Sequence, residues 1–253
     1  MNLSIIIPTR NRPEKLKTVI KQLNKNSFFF NEIIIVDSSN VQNKKKIQSF
    51  LKSLKLNIKF FNSKPSIAFQ RNVGIKKFNK NNKYFMFLDD DIIFMRESFK
   101  KMKRFIKDNH NKFFGFSFNF VDTDEENFFE NLKKNKIVKN LGLYDDRIGK
   151  ILQSGWHTKI KNAKENLKVE WIPSCATIFR NKSKNLLFDN FFSDYSYLED
   201  LDYSYRMSKF GNLVVVKECK YHHKNNIERK SFNFGKKEFI KKYYFVKKNK
   251  FNK

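Results

Sequence analysis

Glycine is scarce in this chain: there are seven in 253 residues, and the first is Gly74. The first strand-to-helix turn, "IPTRNRPEK", therefore has none. That excludes a G-x-G-x-x-G dinucleotide fingerprint or a Walker phosphate loop at its usual place. It also argues against sugar nucleotidyltransferases, whose first loop is Gly-rich. No G-x-S-x-G elbow occurs. The two cysteines, Cys175 and Cys219, lie far apart, offer no disulfide framework and fit a reducing compartment. Cys219, His222 and His223 begin a metal-like cluster, but one other Cys and two other His are too few and too scattered for structural zinc. No apolar run approaches the roughly 20 residues of a membrane span. The chain starts "MNLSIIIP" and enters a strand at once, without the pattern of a signal peptide. The expected location is cytoplasmic, either free or peripheral at the inner face of the cytoplasmic membrane.

What is abundant is positive charge: 53 Lys and Arg against 25 Asp and Glu, a net +28. Such a surface attracts polyanions. Heavy use of Lys, Asn, Phe and Ile throughout is equally the mark of a codon bias. With 40% hydrophobic and 16% aromatic residues the chain can build a core of one-domain size.

Short apolar runs alternate with helical patterns in the first half. "LSIIIP" (3–8), "EIIIVD" (32–37) and "LNIKFF" (56–61) read as strands. Residues 11–23 read as a helix capped by Asn11, with Pro13 in its first turn and Leu16, Val19, Ile20 and Leu23 on one face. Weaker helices follow at 41–54 and 66–78. Repeated β-α-β predicts an α/β fold with a mostly parallel sheet flanked by helices. Later, 113–121, a segment after Pro173 and 212–218 read as strands, and 197–211 as a helix ended by Gly211. Residues 122–168 read as a polar insertion or loop.

The strand "YFMFL" runs straight into Asp89, Asp90 and Asp91. The C-terminal ends of parallel strands face the ligand crevice of an open α/β sheet. If extended geometry persists, Asp89 and Asp91 share one side and Asp90 takes the other. Two carboxylates on one side repel unless a cation lies between them. Asp-x-Asp here suggests a hard divalent ion completed by substrate phosphates. The competing reading is an acidic turn paired with lysines. Pro8-Thr9-Arg10, Asp37-Ser38 and the helix carrying Arg71 and Asn72 converge on the same rim. There a guanidinium can meet a phosphate and a carboxylate can accept hydrogen bonds from ribose or base.

Taken in order, "SIIIPTRNRPEKL", "EIIIVDSS", "AFQRNVGI", "YFMFLDDDIIF", "WIPSCATIFR", "LFDNFF" and "YLEDLDYSYRMSKFG" resemble the family 2 glycosyltransferases of the GT-A fold over residues 3 to 216. The resemblance implies a nucleotide-sugar donor (UDP first, dTDP or GDP as alternatives), a Mn²⁺ or Mg²⁺ ion, and transfer with inversion. By resemblance, Pro8, Thr9 and Arg10 form the first nucleotide loop, with Ser38 and Asn72 beside it. Asp37 holds the base and Arg71 lies near the diphosphate. Asp89 and Asp90 are on the ribose side, and Asp91, with Asp89, is on the metal. Glu199-Asp200 contains the general base, with Asp200 preferred. Without the resemblance, the same pair reads as ordinary charge at a helix start. His222 or His223 completes the metal shell, His222 being the residue assigned. Trp171, Cys175, Ala176 and Trp156 are assigned to the acceptor side, although Trp171 also reads as a core residue.

There is no Q-x-x-R-W motif, which points to transfer of a single sugar. The expected acceptor is a glycan or lipid-linked glycan of a cell-surface polysaccharide. The expected domain is 1–223, divided near residue 121 into nucleotide- and acceptor-binding parts. A basic aromatic tail, 224–253, carries eleven Lys and Arg against two Glu. It reads as an anionic-membrane contact or as a solvated extension. The alternatives to an enzyme are a polyanion-binding protein and an inactive GT-A scaffold. Nucleic acid is disfavoured because the aspartates would repel its phosphates.

Overall fold

The structure is a computed structural model, which describes residues 1–122, 135–140, 144–181, 186–193, 197–223 and 232–251. Among the described residues nine strands form one sheet: β1 (Leu3–Thr9), β2 (Glu32–Asp37), β3 (Ile58–Asn62), β4 (Tyr84–Leu88), β5 (Ile92–Phe94), β6 (Gly115–Phe120), β7 (Leu167–Val169), β8 (Ala176–Arg180) and β9 (Leu213–His223). The order is β3-β2-β1-β4-β8-β6-β9-β5, with β7 also on β9. The first four strands in that order are parallel; β5, β7 and β8 add antiparallel ladders. The α/β expectation holds. β1, β2 and β4 are buried along their whole length, as strands covered on both faces must be.

The described helices are α1 (Pro13–Lys25), α2 (Val41–Lys52), α3 (Ile67–Lys77), α4 (Ser98–Asn109), α5 (Lys136–Asn140), α6 (Glu199–Met207) and α7 (Phe232–Asn249). One core joins the sheet to α1, α2 and α4; the other joins its opposite face to α3, α6 and α7. α1 buries the four residues expected of it. Its N-cap is Arg12, however, not Asn11. Asn11 takes a left-handed φ of 54° and accepts a hydrogen bond from the backbone N–H of Asn40, tying the first loop to the start of α2.

α3 lies unusually close to β1. A Cβ on Gly74 would fall 2.2 Å from Ile6 Cγ2, so this helix position needs glycine for close packing.

Two other expectations change. Within the stretch read as a polar insertion, residues 123–134 and 141–143 lie outside the described residues. Its described part holds α5, an Ile151–His157 bridge and β7. Of the stretch read as a tail, 224–231 and 252–253 lie outside the described residues, and 232–249 is an 18-residue helix packed on the body. Its Phe245 is fully buried.

Candidate active site

Parallel pairing sets Thr9 of β1 beside Asp37 of β2, and β4 runs alongside β1 to end at Leu88. The strand ends expected to converge therefore share one rim. Gln70 of α3 holds it from behind, donating from Nε2 to the carbonyls of Thr9 and Val36 at 2.8 Å each.

β4 stops before the acidic triplet, and Asp90 and Asp91 lie in the turn to β5. Each aspartate meets different partners. Asp89 pairs with Arg71 at 2.9 Å, and its backbone N–H donates to the Cys175 carbonyl. Asp90 accepts a 2.6 Å hydrogen bond from Thr9 Oγ1. Burial pushes its carboxyl up to about 6 despite that bond. Asp91 accepts from His223 Nε2 at 2.8 Å through one oxygen, and from Arg12 and Lys15 at 3.1 Å each through the other. Burial works against the Asp91 carboxylate, but His223 and Lys15 hold it down at about 2.

His223 is the histidine at this site, not His222. β9 runs past Glu218 as far as His223 and pairs antiparallel with β5, setting His223 opposite Ile92. Its register on β6 shifts between Phe118 and Asn119, where β9 bulges. In a strand, neighbours face opposite ways, so only one of two adjacent histidines can face the triplet. His222 instead sets its Nδ1 against the Val121 carbonyl at 3.2 Å. Burial lowers the His223 imidazole, but Asp91 and Asp89 raise it above its ordinary value overall.

Behind Asp89 lies a second acidic group. Glu199 opens α6 and meets Arg71 at 3.3 Å. Burial disfavours the Arg71 cation, yet Asp89 and Glu199 hold it above its ordinary value. Asp89 is the nearer counter-ion, so Glu199 is incompletely matched. Burial and the adjacent Asp200 push the Glu199 carboxyl up to about 7. Asp200 is half-buried and accepts a hydrogen bond from the Leu201 N–H. Its charge, like that of Asp89, acts on Arg71, Cys175 and Tyr221, which places both carboxylates around the same groups. Leu198, just before them, is buried with φ 66°. That left-handed conformation costs a leucine about 1–2 kcal/mol.

Asp37 is buried. Ser39 donates to its Oδ1 from both N and Oγ, at 3.1 and 2.5 Å. Asp37 Oδ2 is buried with no partner among the described residues. A carboxylate oxygen in that state has the capacity to accept a donor from a ligand.

Other assigned residues lie elsewhere or serve the frame. Pro8 is buried in β1, Arg10 is exposed, and Ser38 donates its N–H to the Thr9 carbonyl. Asn72, assigned to the donor, is taken up by the Phe188 backbone through both ends of its amide, at 2.9 and 2.7 Å. Trp171, assigned to the acceptor, is a core residue whose Nε1 donates to the Thr158 carbonyl. Ala176 is buried in β8 opposite Leu88. The Cys175 thiol lies 2.9 Å from the Tyr221 hydroxyl, and burial pushes it up to about 12, so it is no nucleophile at neutral pH. Trp156 sits under the Lys242 ammonium of α7. Arg12, Lys15 and Gln70 were not assigned from sequence. A basic pair at the start of the first helix is the one signal that marks Arg12 and Lys15.

The Asp91 carboxylate supplies an oxygen donor of the kind that suits Mn²⁺ or Mg²⁺, with the His223 imidazole beside it, a nitrogen donor that the softer Mn²⁺ accepts more readily than Mg²⁺. Among the described residues, no three such side chains already form a metal cage. The set fits an ion that takes its remaining ligands from a substrate diphosphate.

Comparisons with known proteins give the family and the fold. The family model "Glycosyl transferase family 2" matches residues 4–187. An uncharacterized glycosyltransferase of Rickettsia bellii is 27% identical over 144 residues, covering 55% of this chain and 20% of that protein. The chain thus spans about a fifth of that relative's length. Staphylococcus aureus TarS, solved with UDP-GlcNAc, matches at TM-score 0.59 and 16% identity over 97% of this chain and 65% of TarS. GalNAc-T7, solved with UDP, GalNAc and Mn²⁺, matches at TM-score 0.66 and 14% identity over 91% of this chain and 45% of GalNAc-T7. These likenesses establish the GT-A fold. The family match, which covers most of the chain, establishes that this protein belongs to glycosyl transferase family 2.

Proposed function

We propose that the protein transfers one sugar, with inversion, from a nucleoside-diphosphate sugar to a hydroxyl of a glycan or lipid-linked glycan. The observation that carries this reading is the rim itself. Asp37, the 89–91 triplet, Arg71, His223 and the Glu199-Asp200 pair come together there from separate parts of the chain, and one buried carboxylate oxygen has no partner among the described residues.

Asp37 Oδ2 accepts the imide N–H of the base. Uracil and thymine present that donor, as does guanine through N1–H, whereas cytosine does not. UDP is the first expectation, in line with the UDP bound in the TarS and GalNAc-T7 structures. Thr9 and Asp90 face the ribose. Arg12 and Lys15 have side chains 42% and 47% exposed, so they are free to turn from Asp91 toward an arriving diphosphate. That movement releases Asp91 Oδ2. Asp91, with His223 and Asp89, would hold a divalent ion, which would supply Lewis-acid stabilisation of the leaving diphosphate. Arg71 orients Asp89 and Glu199.

Asp200 takes the acceptor proton. Glu199 has a carboxyl better matched to neutral pH, but it is buried and engaged with Arg71. Geometry ranks ahead of pKa in choosing a base, and the half-open Asp200 is the one with room for an acceptor.

The test is calorimetric titration of UDP, GDP, dTDP and CMP, with and without Mn²⁺, on wild type and Asp91→Asn. The expected result is metal-dependent binding of one imide-bearing nucleotide that is lost in the variant. Absence of binding to all four would replace this reading with an inactive scaffold or a polyanion-binding protein.

A further inference from the structure

α7 has two faces of different character. The inner face docks on the body. Phe245 is fully buried, and Tyr244 stacks on Phe191 at 3.8 Å between ring centroids. Lys248 joins Asp189 at 2.6 Å and the fully buried Asp202 of α6 at 2.8 Å. Glu238, the one acidic residue of α7, is held by Tyr197 and Lys242 at 2.7 and 2.6 Å.

The outer face is aromatic and basic. Phe232, Phe239 and Tyr243 are 87%, 73% and 55% exposed, and Ile240 is 45% exposed. Lys236 and Lys247 are exposed as well. At about 100° per residue these six side chains fall on one side of the helix, opposite Phe245. That side has no carboxylate, since Glu238 is engaged on the inner side. A contiguous exposed apolar stripe rimmed by charged residues, unlike a single exposed side chain, marks an interaction surface.

We propose that the outer face of α7 is a monotopic docking surface for an anionic lipid bilayer. Phe232, Phe239 and Tyr243 enter the headgroup–acyl boundary while Lys236 and Lys247 meet lipid phosphates. The net charge of +28 adds long-range attraction of the same sign. Among the described residues no helix is long and apolar enough to cross a membrane, so this contact would lie on the surface. The inference goes beyond the transferase reading and does not depend on it.

The experiment is co-sedimentation of the full chain with vesicles of phosphatidylglycerol and phosphatidylcholine, against phosphatidylcholine alone. The variants are Phe232→Ser/Phe239→Ser/Tyr243→Ser and Lys236→Gln/Lys247→Gln. Wild type is expected to pellet with the anionic vesicles only. The aromatic variant should lose about tenfold or more in partition coefficient, and the lysine variant should lose less and become less sensitive to salt. Unchanged circular dichroism and melting temperature show that the fold survives. Nucleotide titration on the same samples reads the donor site separately. The proposal is overturned if wild type ignores anionic vesicles, or if the aromatic variant binds them equally well. Binding of RNA in preference to the vesicles, or self-association abolished by the aromatic variant, would also overturn it.

Discussion

Strands β1 and β2 carry buried polar groups at both ends, and the two ends treat them differently. At the N-terminal end Glu32 is nearly inaccessible and fully engaged. Ser4 Oγ, Lys59 Nζ and the Asn79 N–H donate to it at 2.6, 2.7 and 2.6 Å, and Asn82 donates to Ser4 in turn. At the C-terminal end Asp37 keeps an oxygen without a partner among the described residues, and Asp90 is pushed up to about 6 by burial. Among the described residues Asp91 is balanced by half-exposed cations and a histidine. The strands and the burial are the same, so hydrophobicity does not account for the contrast. One end is closed on itself and serves stability; the other holds an acceptor and charge in excess of what the fold uses.

The largest effect expected from this contrast is on catalysis. Asp200→Asn and Asp91→Asn should each lower steady-state transfer from the matched nucleotide sugar by about 10³-fold, close to 4 kcal/mol of barrier, with little change in melting temperature. A comparable loss in Glu32→Gln would break the comparison. Next comes Glu32→Ala, which strands the Asn79 N–H and Ser4. Urea unfolding should show a loss of about 2–3 kcal/mol, with nucleotide affinity unchanged. Gly74→Ala should cost about 2 kcal/mol in the same assay, because Ile6 must shift to admit the methyl group.

Asp37→Asn sharpens the contrast in the opposite direction. Nucleotide affinity by calorimetry should fall about tenfold, or 1.4 kcal/mol. Melting temperature should hold or rise slightly, because the substitution removes a buried negative charge, while an amide NH2 takes the place of the oxygen that has no partner among the described residues.

The smallest effect is on pH dependence. Burial opposes ionisation of Glu32, but Lys59 and Ser4 hold its carboxyl below the ordinary 4.5. The unfolded chain therefore takes up a proton first as pH falls. The stability contributed is full above the unfolded value and is lost as pH drops through the folded one. Melting curves of Glu32→Gln should have a shallower acid limb than wild type.

Much of this was legible in the chain. The apolar runs 3–8, 32–37 and 84–88 are strands because no amphipathic alternative exists for them, and the aspartates follow directly on a strand end. α4 is an element the sequence reading missed, although its Phe99, Met102 and Ile106 mark one buried side. That residues 232–249 pack on the body as a helix was not legible, because the lysines masked Tyr244 and Phe245, whose packing depends on Phe191 and Tyr205 in a distant segment.

By itself the sequence determined the alternation of elements, the rim on which the carboxylates lie, and the charge surrounding them, all set by local periodicity and composition. Only the tertiary structure decided that His223 rather than His222 meets Asp91, that Arg71 engages Glu199, and that Asn72 and Trp171 belong to the frame. The partners of Asp91 and Arg71 lie 132 and 128 residues away. A one-residue register choice in a strand exchanges which side chain faces the site, and no local pattern encodes that choice.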